Sequence, residues 1–264
     1  MANASALNPL ASGWQFRELF RQLVIRNLKV RYQRSGLGFL WLLVNPALTA
    51  GILVLVFGYI VRLDVPHYWA FLISGYFAWV FVLHTLTTSV LVIPDHAFVA
   101  KSVPVPADVF VLAAVTSRLI EFLAEMVPVV VVLAVFHHGG VPVSFLLLPV
   151  LTLLLLLVTL GFALPAAALS VFFQDLQHGL PAALMMLLYV SPVFYPADLV
   201  PPAFRQVFYL NPVASVLTLF HETLYMGRMP SLAHLGGATA VSVVVCVVGY
   251  AIFRRQRDLF AEIV

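Results

Sequence analysis

Arg26–Pro46, RNLKVRYQRSGLGFLWLLVNP, contains the step on which the fold turns. Arg26, Lys29, Arg31 and Arg34, with Arg21 about a turn earlier, end abruptly at Ser35-Gly36-Leu37-Gly38. An apolar run beginning Phe39-Leu40-Trp41 follows at once. The whole chain repeats this imbalance: 62% of residues are hydrophobic and 9% charged, with a mean hydropathy of +1.04. Ordinary soluble domains carry roughly a quarter charged residues, so this chain cannot cover a core with polar surface and reads as an integral membrane protein. Its 264 residues suffice for about six spans of ~20 residues with short loops. The excess of positive charge then reports topology rather than nucleic-acid binding. The one cysteine, Cys246, lies in an apolar run, so neither a disulfide framework nor a CxxC metal pair is expected.

Before the first span, Phe16, Leu19, Phe20, Leu23 and Val24 fall on one side of a helix, with Glu18, Gln22, Arg26 and Lys29 on the other. Such a helix lies along headgroups with its basic side toward anionic lipid or a partner, or else is simply solvated; the span directly after it favours the interface. The apolar run comes too late and is too long for a signal peptide. Spans are predicted at about 37–61, 68–93, 109–136, 143–171, 180–195 and 232–253. Pro46, in Asn45-Pro46, removes a backbone donor inside the first. Tyr68 and Trp69 open the second with interface-favouring aromatics. Residues 94–108 hold three prolines and three charges and cannot span, although Asp95–Lys101 has room for one or two helical turns. Arg118, Glu121 and Glu125 share one side of the third span, where Arg118 can pair with Glu121. They face protein or water at depth, or else lie on a helix end that projects from the bilayer. Residues 196–230 are too broken by proline to span and too apolar for a plain aqueous loop. Two short helices dipping part-way back into the membrane reconcile the two.

Six spans put both termini on one side, together with eleven of the fourteen Lys and Arg; only Arg62, Arg205 and Arg228 fall opposite. That bias makes the termini cytoplasmic. The predicted class is therefore an all-α integral membrane protein in three parts. Residues 1–36 form a cytoplasmic tail and interfacial helix, 37–253 the transmembrane domain, and 254–264 a cytoplasmic tail.

Catalytic signatures are missing: the sequence contains no GxxxxGK[ST], no HExxH and no GxSxG. His137-His138 reads as a loop pair rather than a metal site, and Asp95-His96 likewise. The layout is that of a transporter, yet outside Arg118, Glu121 and Glu125 the spans lack the ionisable groups an ion-coupled mechanism needs. An ATPase partner docking on the cytoplasmic loops is the better energy source.

Five segments, in order and in register, carry a family resemblance. They are KVRYQRSGLGFLW with the later Asn45-Pro46 (29–46), FFQDL (172–176), SPVFYP with the following VPP (191–202), LNPV (210–213) and MGRMP (226–230). The chain resembles type-2 ABC exporter permeases that move polysaccharides or polyol phosphates, over nearly its whole length from about Arg26. The resemblance implies a homodimer of six-span halves, working with two copies of a separate ATPase subunit that binds ATP and magnesium, and no cofactor in this chain. It places contact with the ATPase on Arg26, Lys29, Arg31, Arg34, Asp95, His96, Lys101 and Asp175, with the coupling helix near Asp95–Lys101. Channel and gate residues would be Phe39, Trp41, Asn45, Tyr59, Ser191, Phe194, Tyr195 and Asn211, whose aromatic rings either face sugars or form lipid-facing belts. The implied function is export of a polyisoprenoid-linked polysaccharide, such as an O-antigen, across the bacterial inner membrane. A teichoic-acid-type or drug/small-lipid exporter of the same superfamily, or a membrane-embedded glycan-modifying enzyme, are the alternatives. The chain departs from the family pattern at Gln174, where FFRDL has Arg, at Ala107-Asp108, where a basic residue often follows PxP, and at His221-Glu222, where Arg is common.

Overall fold

A computed structural model of the chain describes residues 16–32, 36, 38–96, 105–138, 140–202, 204 and 210–263, with side chains to residue 256. All regular structure among these residues is helical. Helix α1 (Arg17–Tyr32) precedes α2 (Trp41–Leu53), which opens with a 3-10 turn at Gly38–Leu40 and continues as a π-helix over Val54–Ile60. Then come α3 (Tyr68–Asp95), α4 (Ala107–Phe136), α5 (Leu148–Phe172, after a 3-10 turn at Val143–Leu147) and α6 (Leu176–Val190). Helix α7 (Pro212–Phe220) runs into a π-helix at His221–Tyr225, and α8 (Leu232–Ile263) ends the chain. The turn from α1 into α2 uses Gly38 at φ +49°, a left-handed conformation that glycine adopts without penalty.

Five segments are long and apolar enough to cross a membrane: Gly38–Ile60, Tyr68–Asp95, Ala107–Phe136, Val143–Phe172 and Leu232–Gln256. They match five of the six predicted spans to within a few residues. The remaining span, expected at 180–195, is instead the 15-residue α6, about 22 Å long against a hydrocarbon core of ~30 Å. Proline explains its early end. Pro192 disfavours helical geometry at the residue before it, and Ser191 is extended at φ −104°, ψ 148°.

Helix α3 is the axis of the bundle. It packs on α4, α5, α6 and α7, and 72% of its most apolar stretch is buried within the chain, Phe71 and Trp79 completely so. In the first and last spans the buried share is only 17%. Helix α7, nine residues long, is almost wholly enclosed by α3, α5 and α8, so its backbone is shielded by protein.

The most extensive helix pair is α5 with α8, and glycine makes it possible. A Cβ built on Gly249 would stand 2.0 Å from the carbonyl oxygen of Gly161, and one on Gly161 would stand 2.6 Å from the backbone of Val245. Small residues allow this approach between membrane helices. We expect Gly249→Ala to cost about 1–3 kcal/mol through overpacking. Gly236→Ala, at a position with nothing within 4 Å, should stay within about 0.5 kcal/mol. Thermal unfolding of the detergent-purified variants measures both, and equal behaviour would refute the close crossing.

Candidate functional site

The basic end of the bundle is built on α1. Its predicted apolar side is the one that packs: Leu23 and Val24 are buried, and Phe16, Leu19 and Phe20 lie against the core formed with α4. At its last turn, Arg31 reaches α4 and pairs with Glu121 Oε1. The Tyr32 hydroxyl donates to the same oxygen at 3.1 Å. From the other side Arg118 donates to Glu121 Oε2 at 3.0 Å, the i, i+3 pair expected from sequence. The Nε and Nη2 groups of Arg118 donate to the Thr88 hydroxyl of α3 at 3.0 and 2.7 Å. Glu121 and Glu125 are each 3% exposed, so this charged side of α4 faces protein. Burial pushes the Tyr32 phenol up to about 12, with the charge and hydrogen bond of Glu121 adding and the two arginines opposing. Tyr32 therefore remains a donor at any physiological pH.

The other basic-end candidates do not gather at one point. Arg26 and Lys29 are exposed on α1. Asp95, the last residue of α3, and Asp175, just before α6, are exposed. His96 is half-buried, its ring 5.0 Å from that of Phe110 and its Nδ1 2.8 Å from the Val92 carbonyl. Arg34 and Lys101 lie outside the described residues.

At the opposite end the broken segment is held at several points. Asn211 caps α7: its Oδ1 accepts from Val213 N at 3.0 Å, and Pro212 occupies the first turn, where its missing N–H costs nothing. The Nδ2 of Asn211 donates to the buried Ser191 hydroxyl at 2.9 Å. Tyr68 donates to the Phe194 carbonyl at 2.8 Å, the Phe194 ring stacks on Phe57 at 5.3 Å, and Tyr195 donates to the Tyr189 carbonyl at 2.7 Å. Ser191, Phe194, Tyr195 and Asn211 are thus one cluster. Phe39, Trp41, Asn45 and Tyr59 are instead spread along the exposed side of α2, Tyr59 at 74% exposure. Phe39 meets Tyr32 edge-on at 5.3 Å.

His221 emerges here without having been singled out from sequence as a site residue. Its Nε2 is 2.8 Å from the Pro192 carbonyl, which can only accept, so that nitrogen carries the hydrogen. Nδ1 is 2.8 Å from the Ser74 hydroxyl, and the ring stacks on Phe71 at 4.2 Å. It fills a notch in α3: a Cβ on Gly75 would lie 2.5 Å from the imidazole. A glycine inside an otherwise bulky helix was the available signal. Next to it Glu222 is 3.4 Å from both Arg228 and His234, at a cavity of about 300 Å3. Among the described residues no His, Cys, Asp or Glu group fits a metal ion.

Removing the carboxylate from the Arg31–Glu121–Arg118 cluster leaves two partly buried guanidiniums facing a neutral group. Glu121→Gln should therefore destabilise the fold by about 3 kcal/mol, and Tyr32→Phe by about 1.5 kcal/mol. Thermal unfolding and protease cleavage within α1 read both effects. An unchanged cleavage rate in Glu121→Gln would refute the role of this cluster in holding α1.

Comparison with known proteins agrees with this architecture. The O-antigen export system permease protein RfbA of Myxococcus xanthus is 32% identical over 251 residues, covering 94% of this chain and 96% of that protein. Its counterpart in Klebsiella pneumoniae is 31% identical over 250 residues, 93% and 95% of the two chains. The polysialic acid transport protein KpsM of Escherichia coli is 23% identical over 251 residues, 94% and 97%. Residues 18–225 match the family described as ABC-2 type transporter, and with that match and those identities the chain belongs to the ABC-2 type transporter family.

Proposed function

We propose that this chain is the membrane-spanning permease subunit of an ATP-driven exporter, and that its cargo is a lipid-linked polysaccharide of the O-antigen kind carried across the bacterial inner membrane. The observation that carries the reading is the similarity, over more than nine-tenths of the chain, to relatives named for O-antigen export. ATP and magnesium belong to two copies of a separate ATPase subunit, since this sequence has no phosphate-cradling loop of its own. Both termini are cytoplasmic, and the short α6 with the turns after it completes a sixth crossing. Residues 196–230 form the re-entrant gate on the far side.

Two copies of the chain enclose the channel. The reading is supported by the uneven burial of the bundle: α3, α5 and α7 are packed within one copy. The first span shows Leu48, Ile52 and Tyr59 to its surroundings, and α6 shows Met185, Met186 and Tyr189. Contiguous apolar surface of this kind meets lipid or a partner. Phe39, Trp41, Asn45 and Tyr59 then face the path of the glycan, with the Ser191–Asn211 cluster at its exit. On the cytoplasmic side Arg26, Lys29, Asp95 and Asp175, together with Arg34 and Lys101, meet the ATPase, while Arg31 carries movement of α1 to α4 through Glu121.

Cys246 is the only thiol in the chain, so a Cys246→Ala background permits single-cysteine tests. Met186→Cys and Ile52→Cys should form oxidative cross-links between copies in the membrane, and Val131→Cys on α4 should not; monomers throughout would refute the dimeric channel. In the same background an impermeant thiol reagent should reach cysteines placed at His137 and Pro202 from the periplasm, and Gln174 only from the cytoplasm. Labelling of position 174 from the periplasm would overturn the topology.

A further inference from the structure

A cavity of about 440 Å3 opens under α1 between the ends of α3 and α4, away from the residues proposed to face the glycan. Arg26, Arg31 and Arg118 all line it. Asp95 also lines it, and Glu121 sits behind it between two of the arginines. Three guanidiniums against two carboxylates leave one positive charge in excess. Arg26 is its natural carrier, because it has no ion partner among the described residues.

The hydrogen bonding is incomplete in the same sense. Arg118, with its side chain only 16% exposed, turns the paired Nε and Nη2 donors toward a single neutral oxygen, that of Thr88. That edge is the fork that matches two oxygens of a carboxylate or phosphate. The Thr88 hydroxyl already donates to the His84 carbonyl at 2.7 Å, so it offers the fork only lone pairs. His96, in the same wall, donates from Nδ1 to the Val92 carbonyl, and its Nε2 is buried with no partner among the described residues. The surplus cationic donors call for an anionic occupant, and the unpartnered Nε2 lone pair of His96 accepts a hydrogen bond from a hydroxyl that the same headgroup carries. The mouth carries exposed Val30 and Leu91, apolar side chains suited to hydrocarbon rather than to a free ion in water.

From these features we infer that the cavity binds the phosphate headgroup of a membrane lipid. The phosphodiester charge offsets the surplus cation, its oxygens meet Arg26 and the Arg118 fork, and its chains leave past Val30 and Leu91. Basic pockets between helices at the membrane surface bind anionic headgroups in this way. The placement in the cytoplasmic leaflet rests on the orientation proposed above; the site itself does not. The lipid is either a resident anionic phospholipid or the phosphate carrier of the cargo.

The test uses the full-length chain in phosphatidylcholine nanodiscs, with retained lipid read by native mass spectrometry while phosphatidylglycerol, undecaprenyl phosphate or inorganic phosphate is added. Phosphatidylglycerol should be retained over phosphatidylcholine. Arg26→Gln, at an exposed position, and Arg118→Lys, which keeps the charge beside Glu121 but loses the fork, should each weaken that retention about tenfold. Stronger retention of undecaprenyl phosphate with the same sensitivity to both variants supports the site and makes the cargo carrier its source. Displacement of lipid by inorganic phosphate supports it with the free anion as source. Equal retention of phosphatidylglycerol and phosphatidylcholine, or retention unchanged in both correctly folded variants, overturns the inference. Because neither the ATPase nor export enters the assay, its failure leaves the exporter reading untouched, and a failed export assay leaves this site untouched.

Discussion

The Glu121 carboxylate is the constraint on which the basic end depends. It is almost fully buried, and an isolated carboxylate there would be prohibitively expensive. It is tolerated because Arg31, Tyr32 and Arg118 converge on its two oxygens from two helices. Two of these contacts, those of Arg31 and Tyr32, fix the end of α1 against α4, while Arg118 holds Glu121 from within α4. The basic segment is therefore held as a strut against the bundle. Exchanging such a cluster for hydrophobic residues generally does not weaken a fold, so what Glu121 contributes is the register of α1 on α4.

The opposite end solves a different problem with neutral groups. Proline at 192, 196, 201 and 212 removes backbone donors and breaks the helix, which leaves buried carbonyls and amides needing partners. Side chains supply them. His221 serves the Pro192 carbonyl, Tyr68 that of Phe194, and Asn211 the first free amide of α7. The π-helical turn at His221–Tyr225 places the imidazole in the notch at Gly75. An arginine at position 221 would be longer and permanently charged in a pocket that holds a flat ring against Phe71 and Gly75. The neighbouring Glu222, Arg228 and His234 keep their charge at the rim instead.

The sequence disclosed the parts of this fold set by local chemistry. Long apolar runs located five spans to within a few residues, because burial in hydrocarbon demands length and leaves little freedom at the ends. The two sides of α1 and the Arg118–Glu121 pair followed from helical spacing alone. Asn211-Pro212 was visible as a family signature, but its work as a helix cap was not inferred from it. Contacts distant in the chain stayed hidden. Arg31 meets Glu121 from 90 positions away, and His221 meets Ser74 from 147, separations that no periodicity encodes. The early end of α6 was missed for a more instructive reason. Hydropathy runs on through Val193 and Phe194, whereas Pro192 forbids the backbone to follow it.

Packing is also distributed unequally, and that inequality sets what can move. Helices α3, α5 and α7 share buried surface, and α8 is locked to α5 where Gly249 meets Gly161. The first span and α6 touch this block lightly, and each is interrupted: α2 by Pro46 and a π-helical end, α6 by Pro181 and the extended Ser191. A displacement of α1 therefore has two routes. Through Arg31 and Glu121 it passes to α4, which packs on α3. Along the chain it leads to the first span, which opens at Gly38 and packs only lightly on α3 and α4. The first span is thus tied to the bundle by fewer contacts than bind α3, α5 and α8 to one another.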